Sequence, residues 1–483
     1  MTMAAAAQHP PATPRYILRG HASPIHALHF FAENSRLVSA DADGWVVIWN
    51  VVTKRPRVVW KAHEGAVLEV KGFCFCESGE EMEVFTHGRD HKLRVWRITS
   101  ADEERLDKSL PVERSSKSSS ATTTAQPWLV HSLAVNALNF CAFSLCFVPE
   151  AVGSSTCIQE GRDDVDQSSE KKDQEIATEV NASSSSLMNQ RKQRDPLLLA
   201  VPNALNSGAI DIFHLPSERR VSTIPADASV QTGMVMAVNI FLSSQGGELY
   251  VLSGYEDGHV MVYTTSDHTN GPLSSSVPWR WEKLYASRPH TQPVLSLDVS
   301  PGKEKGNYFL TSSADALIVK HPIPQVARSG SKAKGKQKEE ETKEEQKTPL
   351  KVLNTKHAGQ QGLRVRSDSK IFATAGWDAR VRVYSCKTMK ELAVLKWHKE
   401  GCYSVAFAEI LEEEEDREGG VSSSTTASTS SDGRDNEDFL DLTAPPPVTG
   451  LKAVQQQRSQ KAQQTHWLAA GSKDGKISLW DIY

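Results

Sequence analysis

Histidine, aspartate and cysteine are the residues of this chain with chemistry to offer, and their spacing decides what that chemistry is. His21, His63, His290, His357 and His398 each stand just before an apolar run, and Asp43, Asp90, Asp257, Asp315, Asp378 and Asp474 each sit in a polar turn between two such runs. An imidazole beside a carboxylate can hold a metal or move a proton. Here each residue returns at one position of a repeated pattern, which marks a structural role. The seven cysteines are Cys74, Cys76, Cys141, Cys146, Cys157, Cys386 and Cys402. Cys74 and Cys76 form a C-x-C pair, and Cys141 and Cys146 a C-x4-C pair; neither has the paired C-x2-C spacing of a zinc site. Cys74, Cys141, Cys146 and Cys402 fall in apolar runs, where a thiol is ordinarily just buried. There is no phosphate-binding glycine loop and no nucleophile, base and orienter at a recognisable spacing. The expectation is a chain with no catalytic residue, cofactor or metal.

The elements that position these residues are short strands. Leu468 to Tyr483 runs apolar, then turns at Ser472-Lys473-Asp474-Gly475, then runs apolar again to Trp480-Asp481. Asp-Gly tolerates the positive φ of a hairpin turn, so this stretch reads as two strands and a tight turn. The offset from Asp474 to Trp480 recurs from Asp43 to Trp49 and from Asp90 to Trp96. A third copy is degenerate, with Ser207 and Phe213 at these positions. The fourth has Asp257 and Tyr263, the fifth Asp315 and His321, the sixth Asp378 and Tyr384. Seven copies predict an all-β fold, a seven-bladed WD-repeat β-propeller of about 40–45 residues per blade, with long disordered insertions. With residues 1–14 and five low-complexity inserts set aside, about 44 residues remain per copy, within that period. The inserts are 101–126, 151–195, 266–278, 325–349 and 411–464, and the domain reading is a disordered 1–14 followed by a single propeller over 15–483.

Stacked blades bury their middle strands on both sides, and such strands read as continuous apolar runs. Val46 to Trp49 and Val260 to Tyr263 do so. In the first repeat His21, Ser39, Asp43 and Trp49 can join in one hydrogen-bonded chain, since a buried polar group left unsatisfied costs roughly 1–3 kcal/mol. His63, Asp90, Trp96, Asp257, Asp315, Asp378, His398, Asp474 and Trp480 occupy corresponding positions. Tyr16 to Arg19 precedes the first Gly-His and has no blade of its own, so it is expected to supply the outer strand of the seventh blade and remove two open edges.

With strands a to d counted outward from the axis, 151–195 and 411–464 lie between a and b. The inserts 101–126, 266–278 and 325–349 lie between c and d. All five are therefore expected on one face. The inserts read as disordered: residues 151–195 and 411–464 are rich in Ser, Thr, Gln, Asp and Glu with few large apolar residues, and 331–348 mix Lys and Glu. Lys332, Lys334, Lys336 and Lys338 allow a nuclear-localisation reading beside that of a solvated linker, and Glu412 to Asp416 forms an acidic run. The opposite face has short turns and is the better candidate for docking. Exposed aromatic and arginine residues commonly anchor such surfaces. The turns offer Trp45, Arg89, Lys92, Trp377, Arg380 and Lys473 as candidate partner-docking residues.

Composition limits the function classes. Charged residues make up 24% and hydrophobic residues 39%, and the net charge of −4 gives no support for direct nucleic-acid binding. No apolar stretch is long enough to span a membrane, and Met1 to Pro14 lacks the features of a signal peptide. An odd cysteine count without secretory features fits reduced thiols in the cytosol or nucleus.

Several stretches are more specific than a general repeat signature. They are Leu18-Arg19-Gly20-His21, Ile25-His26-Ala27-Leu28, Ser39 to Trp45, Arg55-Pro56, His87 to Asp90, Leu93 to Trp96, Gly376 to Tyr384, and Trp467 to Tyr483. Together they resemble the fungal ASTRA-associated protein 1 family, with similar animal proteins named as guanine nucleotide-binding protein beta-subunit-like. The resemblance spans all seven repeats and leaves out the inserts. It implies a non-catalytic scaffold subunit of the ASTRA complex, a chromatin regulator involved in chromatin remodelling and in assembly and stability of phosphatidylinositol-3-kinase-related kinases. It also implies a location in the nucleus, with the cytoplasm as a second compartment, and partners that are protein subunits, the chain itself being monomeric within the complex. The alternative is a propeller substrate receptor of a ubiquitin ligase or a histone-peptide reader.

Overall fold

The structure is a computed structural model and describes residues 12–75, 81–114, 125–136, 141–148, 196–243, 247–270, 278–301, 307–326, 348–411 and 450–482. The polar turns and apolar runs of the sequence form seven four-stranded antiparallel sheets, the architecture of a seven-bladed β-propeller. The first sheet is β2 (Ile25–Phe31), β3 (Arg36–Asp41), β4 (Trp45–Asn50) and β5 (Arg55–Lys61). The second is β6 (Val67–Cys74), β7 (Glu81–Gly88), β8 (Lys92–Thr99) and β9 (Trp128–Ala134). The third is β10 (Ser144–Phe147), β11 (Leu197–Pro202), β12 (Ile210–Leu215) and β13 (Arg219–Ile224). The fourth is β14 (Val235–Leu242), β15 (Leu249–Tyr255), β16 (Val260–Thr265) and β17 (Glu282–Ser287). The fifth is β18 (Val294–Val299), β19 (Tyr308–Ser313), β20 (Leu317–Pro322) and β21 (Lys351–Asn354). The sixth is β22 (Gln360–Val365), β23 (Ile371–Gly376), β24 (Arg380–Ser385) and β25 (Glu391–Lys396). The seventh joins β26 (Cys402–Phe407), β27 (Trp467–Ser472) and β28 (Lys476–Asp481) to β1 (Tyr16–Arg19). That last pairing is the one expected from the unassigned N-terminal strand. Its register sets Tyr16 opposite Leu479 and Arg19 opposite Lys476.

The middle strands are buried as their apolar runs require. Val46 to Trp49 and Val260 to Tyr263 are buried throughout, whereas the fourth strands β9 and β25 keep exposed residues. The turns close on glycine where the backbone demands it. Gly44 has φ +89° and Gly475 φ +70°. A Cβ on Gly44 would run into the His63 carbonyl, and one on Gly475 into that of His21, so the turn glycine of one sheet makes room for the histidine of the next repeat.

By its contacts the chain forms two compact units. One comprises Met1–Thr86, Trp96–Trp128 and Gln361–Tyr483. Its core includes Trp60 and Trp96, edge to face at 6.1 Å, and a second cluster around Leu18, Trp49 and Trp467. The other comprises His87–Val95 and Leu129–Gln360. It is built on one cluster around Tyr255, Met261 and Trp279 and another around Tyr285, Val294 and Phe309.

The five inserts fall in the connections read from the sequence, each between the first and second or the third and fourth strand of its sheet. Among the described residues three of them contain helical segments, that of 266–278 being a single 3-10 turn over Asp267–Asn270. Residues from the 101–126 insert build α1 (Ser100–Arg105) and a single turn, α2 (Pro111–Arg114). Residues from 411–464 build α3 (Leu451–Gln464). Thr99 and Asp102 start α1 with a reciprocal capping box. Residues 1–11, 151–195, 331–347 and 412–449 lie outside the described residues, and with them the lysine run from Lys332 to Lys338, the acidic run from Glu412 to Asp416, and Cys157. Cys76 lies outside them too.

Candidate docking site

Each blade first has to satisfy its own buried polar groups, and the first blade does so with a continuous chain. Trp49 Nε1 donates to Ser39 Oγ at 2.8 Å, Ser39 Oγ is 2.7 Å from His21 Nε2, and His21 Nδ1 is 2.7 Å from Asp41 Oδ2. An indole can only donate. Ser39 therefore accepts from Trp49 and donates to His21 Nε2, which leaves the His21 proton on Nδ1 for the carboxylate. The carboxylate is Asp41, not the Asp43 expected from the sequence. Asp41 is the fully buried last residue of β3, and its Oδ1 also takes the Asp43 and Trp45 amides at 3.0 Å. Asp43 stands further out in the turn and accepts from the Ser23 hydroxyl.

Other blades vary the same chain. His63 Nε2 and Trp96 Nε1 both reach Thr86 Oγ1, at 2.8 and 3.0 Å, while Asp90 receives Arg94 at 2.7 Å. In the seventh blade the hydroxyl has changed strands. Ala470 stands opposite Ser478 in register, and Ser478 Oγ serves both His398 Nε2 and Trp480 Nε1 at 2.8 Å. Asp474 lies 3.7 Å from His398 Nδ1 and binds Lys476 at 2.8 Å. Asp257 pairs with His259 at 2.6 Å, and Asp378 with Arg382 at 2.6 Å. In those two repeats the aspartate meets a partner two or four residues on, and His357 is exposed.

The fifth blade replaces the tryptophan with His321. Asp315, His290, Thr311, His321 and Tyr285 form one buried series, with 2.8 Å from His290 Nε2 to Thr311 Oγ1 and 3.0 Å for each of the next two links. His321 stands in for an indole by donating from Nε2, and its Nδ1 then accepts from the Tyr285 hydroxyl. Burial and the nearby His290 hold His321 well below the usual histidine range. Burial pushes the Tyr285 phenol up to about 12. Burial acts to raise Asp315, but the hydrogen bonds from His290 and from the Leu317 and Thr291 amides outweigh it and hold the carboxyl low.

This arrangement spends four of the five repeat histidines, His21, His63, His290 and His398, inside the blades. Among the described residues no group of three His, Cys, Asp or Glu side chains is placed to hold a metal ion. Burial pushes the Cys402 thiol up to about 12 and raises Cys141 further, which removes the thiolate that nucleophilic chemistry needs. No helix among the described residues is long and apolar enough to cross a membrane.

The docking candidates divide into two groups. Arg89 is exposed in the turn between β7 and β8 and Lys92 is exposed at the start of β8, both in the second unit. Trp45, Trp377, Arg380 and Lys473 belong to the first unit. Trp45 is half-buried and already has a partner. Asp107, beyond α1, accepts from the Val59 amide at 2.8 Å, and the chain continues until Arg114 lays its guanidinium 4.9 Å from the centre of the Trp45 ring. Arg114 is held in turn by Asp107. The strap is anchored by Glu103, 3% exposed, which takes Arg36 at 3.2 Å and Arg57 at 2.8 Å. Sequence reasoning missed this strap, although Thr99-x-x-Asp102 carried its helix start.

Among the described residues Trp377 has no such cover, and it is 49% exposed. Its Nε1 donates to Gln361 Oε1 at 2.7 Å, which fixes the ring by its edge. Lys473 is exposed and Arg380 half-exposed. The Lys473 amide donates to Gly401 O at 2.9 Å, and Gly401 packs against the Trp377 backbone. The structure therefore brings Trp377, Arg380 and Lys473 to one end of the sixth and seventh blades.

The family model described as ASTRA-associated protein 1 matches residues 14–480. Among curated proteins, ASTRA-associated protein 1 of Aspergillus niger is 56% identical, with 98% of each chain covered. That of Penicillium rubens is 53% identical, with 98% of each covered. That of Schizosaccharomyces pombe is 31% identical over 82% of this chain and 93% of its own.

Proposed function

The chain belongs to the ASTRA-associated protein 1 family, and from that premise we propose that it is a non-catalytic protein-interaction scaffold, one subunit of an ASTRA-like multiprotein complex. In this reading it is a single WD-repeat propeller domain over 15–483, monomeric within the complex, bound to protein subunits and not directly to nucleic acid. Its work is nuclear and bears on chromatin remodelling and on the assembly and stability of phosphatidylinositol-3-kinase-related kinases. The observation that carries the reading is the contrast within the blades. The buried histidines of the first, second, fifth and seventh blades are engaged in internal hydrogen bonds, while Trp377 is held at its edge and half-exposed. Exposed, edge-fixed tryptophans make effective interface anchors because little side-chain freedom is lost on binding.

The test is affinity purification of the tagged full chain from its native cells with quantitative mass spectrometry, beside a Trp377→Ala variant checked for intact folding. Recovery of ASTRA and kinase-assembly subunits, lost in the variant, supports the scaffold and its docking end. Recovery unchanged in the variant keeps the scaffold and moves the contact elsewhere. Recovery of ubiquitin-ligase subunits or histones alone overturns the assignment.

A further inference from the structure

We propose that the Trp377 end of the sixth and seventh blades docks an acidic protein segment that carries a bulky apolar residue. This rests on the scaffold reading and deepens it by naming the chemistry of the partner. The chain as a whole is slightly acidic, with a net charge of −4, yet this end is basic. Lys396, Lys399 and Lys473 are exposed and Arg380 is half-exposed. Among the described residues none of these four side chains has an ion-pair partner.

The acidic residues of the same turns are mostly engaged inside their own blades. Asp378 is held by the buried Arg382 guanidinium at 2.6 Å, and Asp474 by Lys476 at 2.8 Å. Among the described residues Glu400 alone of the acids of these turns is exposed without an ion-pair partner. Four free positive charges thus surround one free negative charge. They are contiguous. Arg380 and Lys396 are cross-strand partners in register, and Gly401, two residues after Lys399, touches both Trp377 and Lys473.

The indole supplies the second half of the recognition. Its N–H is satisfied by Gln361, so what it presents to a partner is an apolar face with a negative quadrupole. That face favours an aliphatic or aromatic side chain, while the surrounding ammonium and guanidinium groups favour carboxylates and repel a basic segment. A compact cluster of this size around an aromatic fits a short acidic peptide better than a phosphate backbone, which is bound by longer basic stripes.

The experiment uses the full tagged chain in native cells. A photo-reactive phenylalanine analogue replaces Lys399 in one version and Lys473 in another, and cross-linked partner peptides are sequenced by mass spectrometry. In parallel, Lys399→Glu/Lys473→Glu is compared with Lys387→Glu/Lys390→Glu, an equal charge change at exposed residues of the turn between β24 and β25. Thermal midpoints of both purified variants confirm folding. The cross-linked peptides are expected to be rich in Asp and Glu with a Leu, Phe or Trp among them. Retained complex is expected to fall about tenfold in the first variant and less than about twofold in the control. Raising the salt from about 0.1 M to about 0.4 M should weaken retention of the wild type, because exposed charges are screened.

Cross-links to basic peptides, an equal fall in both variants, or retention abolished by nuclease would each overturn the acidic docking site. A complex recovered in full with Lys399→Glu/Lys473→Glu overturns it while leaving the scaffold standing. Failure of the wild type to recover any subunit overturns both.

Discussion

Two tryptophans in the short turns of this propeller have opposite fates, and the difference lies in what the rest of the chain does to them. Trp45 is covered by Arg114, at the end of a strap that Glu103 clamps to Arg36 and Arg57. Trp377 has the Gln361 amide at its edge and is 49% exposed among the described residues. The lesson is that residue type and turn position do not make a docking site. A cation–π contact from the same chain already covers Trp45, whereas Trp377 is 49% exposed and is the residue proposed to meet a partner.

The contrast can be broken from the covered side by removing the support beneath it. Ser39→Ala strips the hydroxyl that serves both Trp49 and His21, leaving two buried groups unsatisfied. A loss of about 3 kcal/mol of unfolding free energy is expected, read by urea denaturation. On the open side, Trp377→Ala should leave stability within about 0.5 kcal/mol, as for other exposed positions. It should weaken association with the complex by about 2 kcal/mol, roughly thirtyfold, if the ring is an interface anchor.

Glu103→Gln sharpens the comparison by releasing the strap. Its buried carboxylate meets two arginines that are partly solvated, so the cost is discounted to about 1–2 kcal/mol. The variant should also make Trp45 more accessible to acrylamide quenching, approaching the state of Trp377. Quenching unchanged from the wild type would mean that the strap holds without Glu103.

The smallest effect expected is a pH dependence. His398 is buried and held below its ordinary value, its burial outweighing the nearby Asp474, and His321 is held lower still. The unfolded chain takes up these protons near pH ~6.5. Their contribution to stability is therefore complete above that pH and declines as the pH falls toward the depressed folded values. Urea midpoints should drop between about pH 7 and pH 5, with a shallower slope in His398→Gln. A midpoint that rises on acidification would contradict the burial of neutral imidazoles.

Much of the fold was legible because it is periodic. Asp474-Gly475 and Trp480 showed the repeat, and the unpaired Tyr16–Arg19 showed how its ends join. The substitutions inside each blade were harder to read. Asp41 and Asp43 both lie near the turn, and only the burial of the end of β3 decides which carboxylate meets His21. In the seventh blade the required hydroxyl sits on Ser478, across the strand pair from the alanine that takes its usual place, a relation fixed by register. The strap was illegible for a different reason. Its contacts join Glu103 to Arg36 and Asp107 to Val59, pairs far apart in sequence that no local pattern specifies. Asn34 is a second such case. Its side chain donates to Glu409 O at 2.8 Å and Gln463 O at 2.9 Å, tying together both ends of the last insert from a turn in the first blade.

The most direct test of the central claim is an equilibrium titration of the immobilised native complex, stripped of this subunit, with purified wild-type, Trp45→Ala and Trp377→Ala chains. The expected result is a Kd raised at least about tenfold by Trp377→Ala and changed less than about twofold by Trp45→Ala. Equal effects of the two substitutions, or a larger effect of Trp45→Ala, would contradict the assignment of docking to the open end.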